Sequence, residues 1–384
     1  MAFANVNLSR RQRRALSFYD DSIANTARLS YPPVSVSDLL NFSSNVEHNQ
    51  LQTGILLYKI LPVRLATRII DIHDLPYICG INPFMQFIHN DYVNVFMQMK
   101  AIKHIKTQAD LSKFNTLMIE GLKQGNSALP QLARASKELA PHLAPEVLNR
   151  FINRFITCRI GRRLLAEQHL AIIQQHLHPQ PHSHLIGVID HDVNIRAVIK
   201  ATYKRAFLIS RDVNGLSPHM DLNIEQTTAL PYVVRHIQYI LLEIFKNAIR
   251  ATAERAIRDS TRFLDEDDIP QVQVTVHGGP SETTIIVSDK GGGISQDHQD
   301  RVFDFAFSTA QGLDAASLLE QPQGVGDYAN RPMAGEGFGL PMARAYARFF
   351  GGDISFQTMQ DHGTDVYIKL RHVDLKGTQN ILPV

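Results

Sequence analysis

The strongest constraint on the fold is a change of hydrophobic pattern near the middle of the 384-residue chain. Between Ser37 and Gln175, apolar residues recur at three- and four-residue spacing, which is the period of amphipathic helices. After His184, runs such as Gln271–His277 and Thr283–Ser288 alternate or are β-branched, as in paired antiparallel strands. The pattern predicts an α + α/β fold, in which a helix bundle precedes an α/β sandwich of one sheet covered by helices.

A proline-broken stretch separates the two patterns and reads HLHPQPHSH over residues 176–184. Because no cysteine lies nearby and prolines separate the histidine pairs, we interpret the stretch as a polar linker rather than a metal site. The predicted domains are an N-terminal arm at residues 1–35, a helix bundle at 36–180 and a third domain at 184–384. Within the third domain, we expect residues at about 308–335 to form a long loop that acts as a lid.

Composition excludes some functions and leaves the N-terminal arm open. The net charge of +2 gives no basic field for nucleic acid, and no apolar run approaches the ~18–20 residues of a membrane span. Two cysteines are too few for a disulfide framework and fit a reducing compartment. Four arginines between residues 10 and 14 precede the first acid, Asp20. They fit a transit peptide or a solvated basic N-terminus equally well.

The segment Pro231–Ile257 reads as a long helix with one apolar face and one polar face. Its predicted core face contains Ile237, Leu241, Ile244 and Ala248, and its polar face contains Glu243, Lys246, Asn247, Arg250 and Glu254. A polar face is usually only solvated. However, asparagine is a poor interior helix residue, and the spacing of four places its oxygen beside the Glu243 carboxylate. Oxygen ligands at this spacing suit Mg²⁺, and such a carboxylate can also deprotonate a hydroxyl.

Two glycine-rich segments follow this helix. Asp289 ends a predicted buried strand and precedes Gly291, Gly292 and Gly293, where its carboxylate can accept a hydrogen bond from an exocyclic amine. A capped tight turn is the alternative for such a segment. The second segment, Gly335–Pro341, enters a helix near Pro341, so its backbone N–H groups can bind phosphates. It fits neither the P-loop nor the dinucleotide-binding glycine pattern.

In this order, the three segments resemble the ATP site shared by DNA gyrase, histidine kinases, MutL and the ninety-kilodalton heat-shock chaperones. Within that superfamily, the sequences at Glu243–Thr252, Phe307–Ala310, Gly337–Ala347 and Gly363–Asp365 resemble the mitochondrial 2-oxo acid dehydrogenase kinases. The resemblance extends to Leu61–Arg68 and Arg159–His169, so it covers nearly the whole chain.

The resemblance implies ATP and Mg²⁺ as cofactors, with Asn247 on the metal. It further implies Glu243 as general base near His169 and Lys246, and Asp289 and Thr364 at adenine. The residues that it implies around the nucleotide are Arg250, Gly291, Gly293, Ser308, Thr309, Gly335, Gly337, Phe338, Gly339 and Leu340. Glu336 departs from the family, which usually carries Phe there.

The resemblance also implies a serine kinase of the mitochondrial matrix that inactivates the E1α subunit of a 2-oxo acid dehydrogenase. The lipoyl domain of the E2 core and a second copy of the chain are the other implied partners. Some segments resemble the branched-chain 2-oxo acid dehydrogenase kinase and others the pyruvate dehydrogenase kinases of the family. The resemblance therefore leaves both complexes as candidate substrates. A sensor histidine kinase with His169 as phospho-acceptor and a nucleotide-gated scaffold without transfer activity are the alternatives.

Overall fold

The computed structural model describes residues 21–31, 34–43, 46–179, 184–226, 229–308 and 337–374. Its contacts divide the chain into two compact units. The first unit comprises Met1–Pro32 and Leu51–Leu143, and the second comprises Pro33–Gln50 and Ala144–Val384. Residues 1–20 of the predicted arm and nearly all of the predicted lid lie outside the described residues.

Helices account for more than half of the described residues. In order they are α1 Asp21–Ala27, α2 Val36–Asn41, α3 Val46–His73, α4 Tyr77–Ile81, α5 Pro83–Ala101, α6 Gln108–Gln124, α7 Ala128–Leu139, α8 Pro145–Leu177, α9 Ile195–Asn214, α10 Val234–Asp259, α11 Gln296–Gln299 and α12 Gly339–Phe349. None of these helices is long and apolar enough to cross a membrane.

Helices α4 to α7 and most of α3 form the first unit and confirm the predicted helical texture. Local sequence signals set their boundaries. The Asn82 side chain accepts hydrogen bonds from the backbone of Phe84 and Met85 and so caps α5, which begins at Pro83. A reciprocal capping box between Thr107 and Asp110 starts α6.

Two prolines lie inside helices, although proline usually ends or kinks a helix. Pro62 lies within α3, and Pro130 is the third residue of α7. An interior proline costs a helix roughly 3 kcal/mol. The flanking residues Leu61, Val63 and Leu65 are buried, and their burial offsets this cost. At the start of α7, the missing proline N–H has no partner to lose.

The second unit contains a five-stranded sheet and a separate two-stranded hairpin. The strands are β1 Leu185–Ile186, β2 Ile189–Asp190, β3 Met220–Gln226, β4 Val272–Gly278, β5 Glu282–Ser288, β6 Asp353–Met359 and β7 Gly363–Arg371. The sheet order is β3-β4-β5-β7-β6, with β3 and β4 parallel and the other neighbours antiparallel. The predicted antiparallel pairing of the segments at β4 and β5 is confirmed, and β3 adds a parallel pair. The helix α10 connects β3 to β4, and such a crossover makes the two strands parallel.

One face of the sheet is buried beneath helices α10 and α12, and α9 packs on α10. Val274, Ile285 and Ile368 point to this face and are almost fully buried. The long helix α8 packs against α12, so contacts place it in the second unit. The sequence analysis assigned α8 to the helix bundle, and its domain limits stay a prediction.

We expect Ile285→Ala to lower the free energy of unfolding by about 2–5 kcal/mol, since it removes fully buried methyl groups from the central strand β5. Urea denaturation measures this loss. Glu282→Ala, at the exposed start of the same strand, is the control and should change stability by at most about 0.5 kcal/mol. Equal stability of the two variants would contradict the assigned core.

Candidate functional site

A cavity of about 400 Å³ opens in the second unit beside α10. Its walls come from α10, the loop after β5, the start of α12 and the adjoining ends of β6 and β7. The predicted site residues that line it are Glu243, Lys246, Asn247, Arg250, Asp289, Gly291, Gly293, Ser308, Gly337, Gly339, Leu340 and Thr364. The fold thus brings the three sequence segments together around one space.

Glu243 is the most buried acid in this cavity. Only 5% of its surface is exposed, although it belongs to the face that the sequence analysis regarded as polar. Its Oε1 lies 2.7 Å from the Lys246 ammonium. Its Oε2 lies against Gly339, where a Cβ atom would overlap it. Charge pairing and the missing side chain at residue 339 therefore fix the carboxylate at the cavity wall.

Asn247 and Arg250 follow on the same helix and face the cavity. Asn247 lies one turn after Glu243 and is exposed. Arg250 Nε forms a 2.9 Å ion pair with Glu254 Oε1, so this cation is held at the cavity edge. The carboxamide oxygen and the neighbouring carboxylate are the hard oxygen donors that Mg²⁺ prefers, so these residues fit the predicted metal.

At the other end of the cavity, the backbone positions Asp289. Its Oδ1 accepts hydrogen bonds from the backbone N–H groups of Gly291 at 2.8 Å and Thr364 at 3.2 Å. Burial of the carboxyl outweighs these bonds and raises the pKa of Asp289 to about 6. Among the described residues, Oδ2 has no hydrogen-bond partner. This oxygen is available to accept a bond from a ligand.

The start of α12 supplies a different wall. Gly337 has a φ of 68°, and Gly339 and Leu340 of the first helical turn also line the cavity. N–H groups of a first turn have no intrahelical partner and attract anions. Phe338 does not line the cavity. It is 1% exposed, and its ring centroid lies 5.0 Å from that of Phe305. Phe338 therefore packs in the core at the start of α12.

Three further predicted residues are not among the described residues that line the cavity. His169 is on α8, is 2% exposed and is not among the described residues that line the cavity. Burial lowers the pKa of His169 to about 4, so it is neutral at physiological pH. Its action on Glu243 stays a prediction. Thr309 and Gly335 fall outside the described residues, as does Glu336.

The cavity also has an apolar wall and two arginines, Arg255 and Arg258, that were not predicted from the sequence. The wall consists of Ile294, Val302, Phe303, Phe307, Phe356 and Val366. Phe356 and Val366 are register partners across β6 and β7, which only the sheet pairing reveals. Arg255 continues the spacing of four from Glu243, Asn247 and Ala251 along α10, and that spacing was the available signal. A polar and an apolar wall facing each other suit a ligand with a flat base and charged groups.

Comparisons with known proteins assign both halves of the chain. Residues 33–190 match the model of the mitochondrial branched-chain alpha-ketoacid dehydrogenase kinase, and residues 232–374 match that of the histidine kinase-, DNA gyrase B- and HSP90-like ATPase. The mitochondrial pyruvate dehydrogenase (acetyl-transferring) kinase of Arabidopsis thaliana is 33% identical over 358 residues, which are 91% of this chain and 92% of that protein. Isozyme 4 of that kinase from Rattus norvegicus is 31% identical over 373 residues, covering 93% and 85%.

The second of these models spans Glu243, Asn247, Asp289, Gly339 and Thr364, and so includes the residues around the cavity. The match to the first model and the near-complete coverage of the relatives include the helical half as well. The chain therefore belongs to the family of mitochondrial 2-oxo acid dehydrogenase kinases and carries an ATP site of the gyrase and histidine-kinase type.

Proposed function

We propose that this protein is an ATP-dependent serine kinase that phosphorylates and inactivates the E1α subunit of a 2-oxo acid dehydrogenase complex in the mitochondrial matrix. One observation carries the proposal: a buried carboxylate, an exposed carboxamide, an aspartate held by backbone N–H groups and a helix N-terminus line the same cavity. Together they supply the positioning and the charge neutralisation that phosphoryl transfer requires.

The adenine base would occupy the end of the cavity at Asp289 and Thr364. The Oδ2 of Asp289 would accept a hydrogen bond from the exocyclic amine of the base, because the backbone already engages Oδ1. The apolar side chains of Ile294, Phe356 and Val366 would cover the faces of the ring. The remainder of the nucleotide would then extend along α10 toward Glu243.

The phosphates would lie between the start of α12 and Asn247. The N–H groups near Gly339 and Leu340 favour negative charge, and Arg250 adds a cation at the cavity edge. Asn247 would hold Mg²⁺, which neutralises the charge on the phosphates when it is bound. Within the described residues, no cluster of three or more His, Cys, Asp or Glu side chains can hold a metal. The metal is therefore expected to bind together with the nucleotide.

The transfer step assigns Glu243 the role of general base. The serine hydroxyl of the substrate gives its proton to the carboxylate while its oxygen forms a bond to the γ-phosphorus. The bond between that phosphorus and the oxygen bridging to the β-phosphate breaks, and ADP leaves. Lys246 lies 2.7 Å from Oε1 of Glu243, and Gly339 leaves room for Oε2. Both residues therefore act by fixing the orientation of the Glu243 carboxylate.

The partners of this reaction are further proposals. The relatives are named as kinases of pyruvate dehydrogenase, and this supports a dehydrogenase E1 as the substrate. The resemblance of the helical half supports docking on the lipoyl domain of the E2 core, and that of the ATP-binding half supports a homodimer. The pyruvate complex is the first candidate, with the branched-chain complex as the alternative that the N-terminal match favours.

ATP-dependent inactivation of purified pyruvate and branched-chain dehydrogenase complexes, assayed side by side, tests the function. We expect loss of dehydrogenase activity in one complex together with acid-stable phosphate on its E1α. If the protein binds ATP but inactivates neither complex, the kinase proposal is overturned. The alternative of a nucleotide-gated scaffold without transfer activity would then be favoured. Acid-labile phosphate on the kinase itself, lost in His169→Ala, would instead indicate a histidine kinase. The burial of His169 opposes that outcome.

We predict that Glu243→Gln lowers kcat for E1α phosphorylation by about 100-fold or more, because it removes the proton acceptor. The ATP concentration at half-maximal rate should change little, since the proposed position of adenine is at Asp289 and not at Glu243. Initial rates of phosphate transfer measure both quantities. Glu282→Gln, an exposed exchange of the same kind on β5, is the control. Undiminished kcat in Glu243→Gln would remove Glu243 as the base.

Gly339→Ala should lower kcat by about tenfold or more, because the new Cβ overlaps Glu243 Oε2 and forces the carboxylate away from its position. The overlap involves the end of a side chain that can rotate, so we expect the thermal stability to fall only slightly. Gly80→Ala is the matched control, since its added Cβ meets no atom within 4 Å. If Gly339→Ala retains wild-type kcat, the close packing of the two residues has no catalytic role.

The affinity for the base should depend on pH through Asp289, whose pKa is about 6. Below this pH the carboxyl is protonated and loses acceptor strength, so binding should weaken as the pH falls from about 8 to about 5. Adenosine is the suitable probe, because it has no group that titrates near neutrality. Asp289→Asn should bind more weakly than wild type at high pH and show a flat profile. A flat wild-type profile would contradict the proposed contact.

A further inference from the structure

Arg255 lies three turns beyond Glu243 on α10 and donates hydrogen bonds to three backbone carbonyls at the base end of the cavity. Its Nη1 lies 3.2 Å from the Lys290 oxygen and 2.9 Å from the His362 oxygen. Its Nη2 lies 2.8 Å from the Asp361 oxygen. We propose that Arg255 is a positioning residue. It connects the loop after β5 to the turn between β6 and β7 and thereby sets the selectivity for adenine. The inference rests on the proposed ATP site.

The two segments are the loop Asp289–Ile294 after β5 and the turn between β6 and β7. Each contributes one group to the recognition of the base, namely Asp289 from the loop and Thr364 from the start of β7. They contact each other directly, because the Asp361 N–H donates to the Gly292 oxygen at 2.9 Å and the Ile294 N–H donates to Thr358 Oγ1 at 2.8 Å. Arg255 connects both segments to the helix.

The backbone at this junction contains a residue in an unfavourable conformation. Asp361 has a φ of 64°. Residues other than glycine rarely adopt this backbone conformation, because it costs free energy. Arg255 binds the carbonyl of this residue and that of the next. A charged donor on two successive carbonyls favours the turn in this shape. The Thr364 N–H that donates to Asp289 Oδ1 follows two residues later.

The chemistry of the side chain suits this role. A guanidinium is planar and carries several N–H groups in fixed directions, whereas the ammonium of lysine is a single point of donation. The Nε of Arg255 also lies 3.2 Å from Asp259 Oδ2, which orients the group along the helix. The side chain is 27% exposed, so water can solvate the carbonyls if it is removed. Its loss should therefore shift the two segments without unfolding the domain.

ATP and ITP test the inference, because they differ in the base at position 6, where ATP presents an amine and ITP an oxygen. At position 6, Asp289 can accept a hydrogen bond from the amine of ATP but not from the oxygen of ITP. We expect Arg255→Ala to weaken ATP binding by about tenfold and ITP binding by less, so that the ATP/ITP affinity ratio falls. Isothermal titration of the full chain measures both affinities. Arg255→Lys should give an intermediate ratio and carries the test if the alanine variant does not fold.

The matched control is Arg262→Ala, which removes an exposed arginine that pairs with Asp268 outside the cavity. It should leave both affinities unchanged. An unchanged ATP/ITP ratio in Arg255→Ala and Arg255→Lys would overturn the inference even if thermal stability fell, since a purely structural contact predicts only that fall. Failure of the wild-type protein to bind ATP would instead overturn the proposed function.

Discussion

The ion pair between Glu243 and Lys246 on α10 is the interaction on which the site depends. Burying a carboxylate is costly unless a positive charge and close packing offset the lost hydration. Lys246 supplies the charge at 2.7 Å, and Gly339 at the start of α12 supplies the space. Both helices must therefore be placed accurately. The core does this, because Ile237, Leu241 and Ile244 of α10 are almost fully buried, and α12 packs beside that helix over the same sheet.

The same helix organises the whole length of the cavity through a spacing of four residues. Glu243 lies at the proposed transfer end, and Asn247 lies one turn later at the phosphates. Ala251 follows, and its small side chain packs against Gly291 so closely that no Cβ fits there. Arg255 comes last and binds the loop and the turn at the base end. One helix thus sets the distances between the residues that we propose for base recognition, metal binding and catalysis.

The sequence was sufficient to predict α10 and the strands β4 and β5 from local periodicity. Twelve of the cavity residues were also predicted, some from periodicity and glycine-rich segments and others, such as Ser308 and Thr364, only through the resemblance. The sequence was insufficient where long-range contacts decide. The parallel pairing of β3 depends on the α10 crossover, and the helix around Pro62 depends on buried neighbours. The carbonyls that Arg255 binds are backbone groups 35 and 106–107 residues away, and no side-chain pattern encodes them. Glu243 was assigned correctly to the cavity but not to the buried class, since burial there comes from α12.

Two buried titratable residues explain why the site favours transfer to another protein over transfer to its own histidine. Burial lowers the pKa of His169 to about 4. Only 2% of this residue of α8 is exposed, so its ring is shielded from a bound nucleotide. Glu243 is nearly as buried, yet it lines the cavity and has Lys246 as its charged partner. A hydroxyl that enters from solvent can reach this carboxylate, whereas a phosphate cannot reach the histidine without opening the packing around α8. The arrangement therefore supports the proposal that the acceptor is a hydroxyl of another protein.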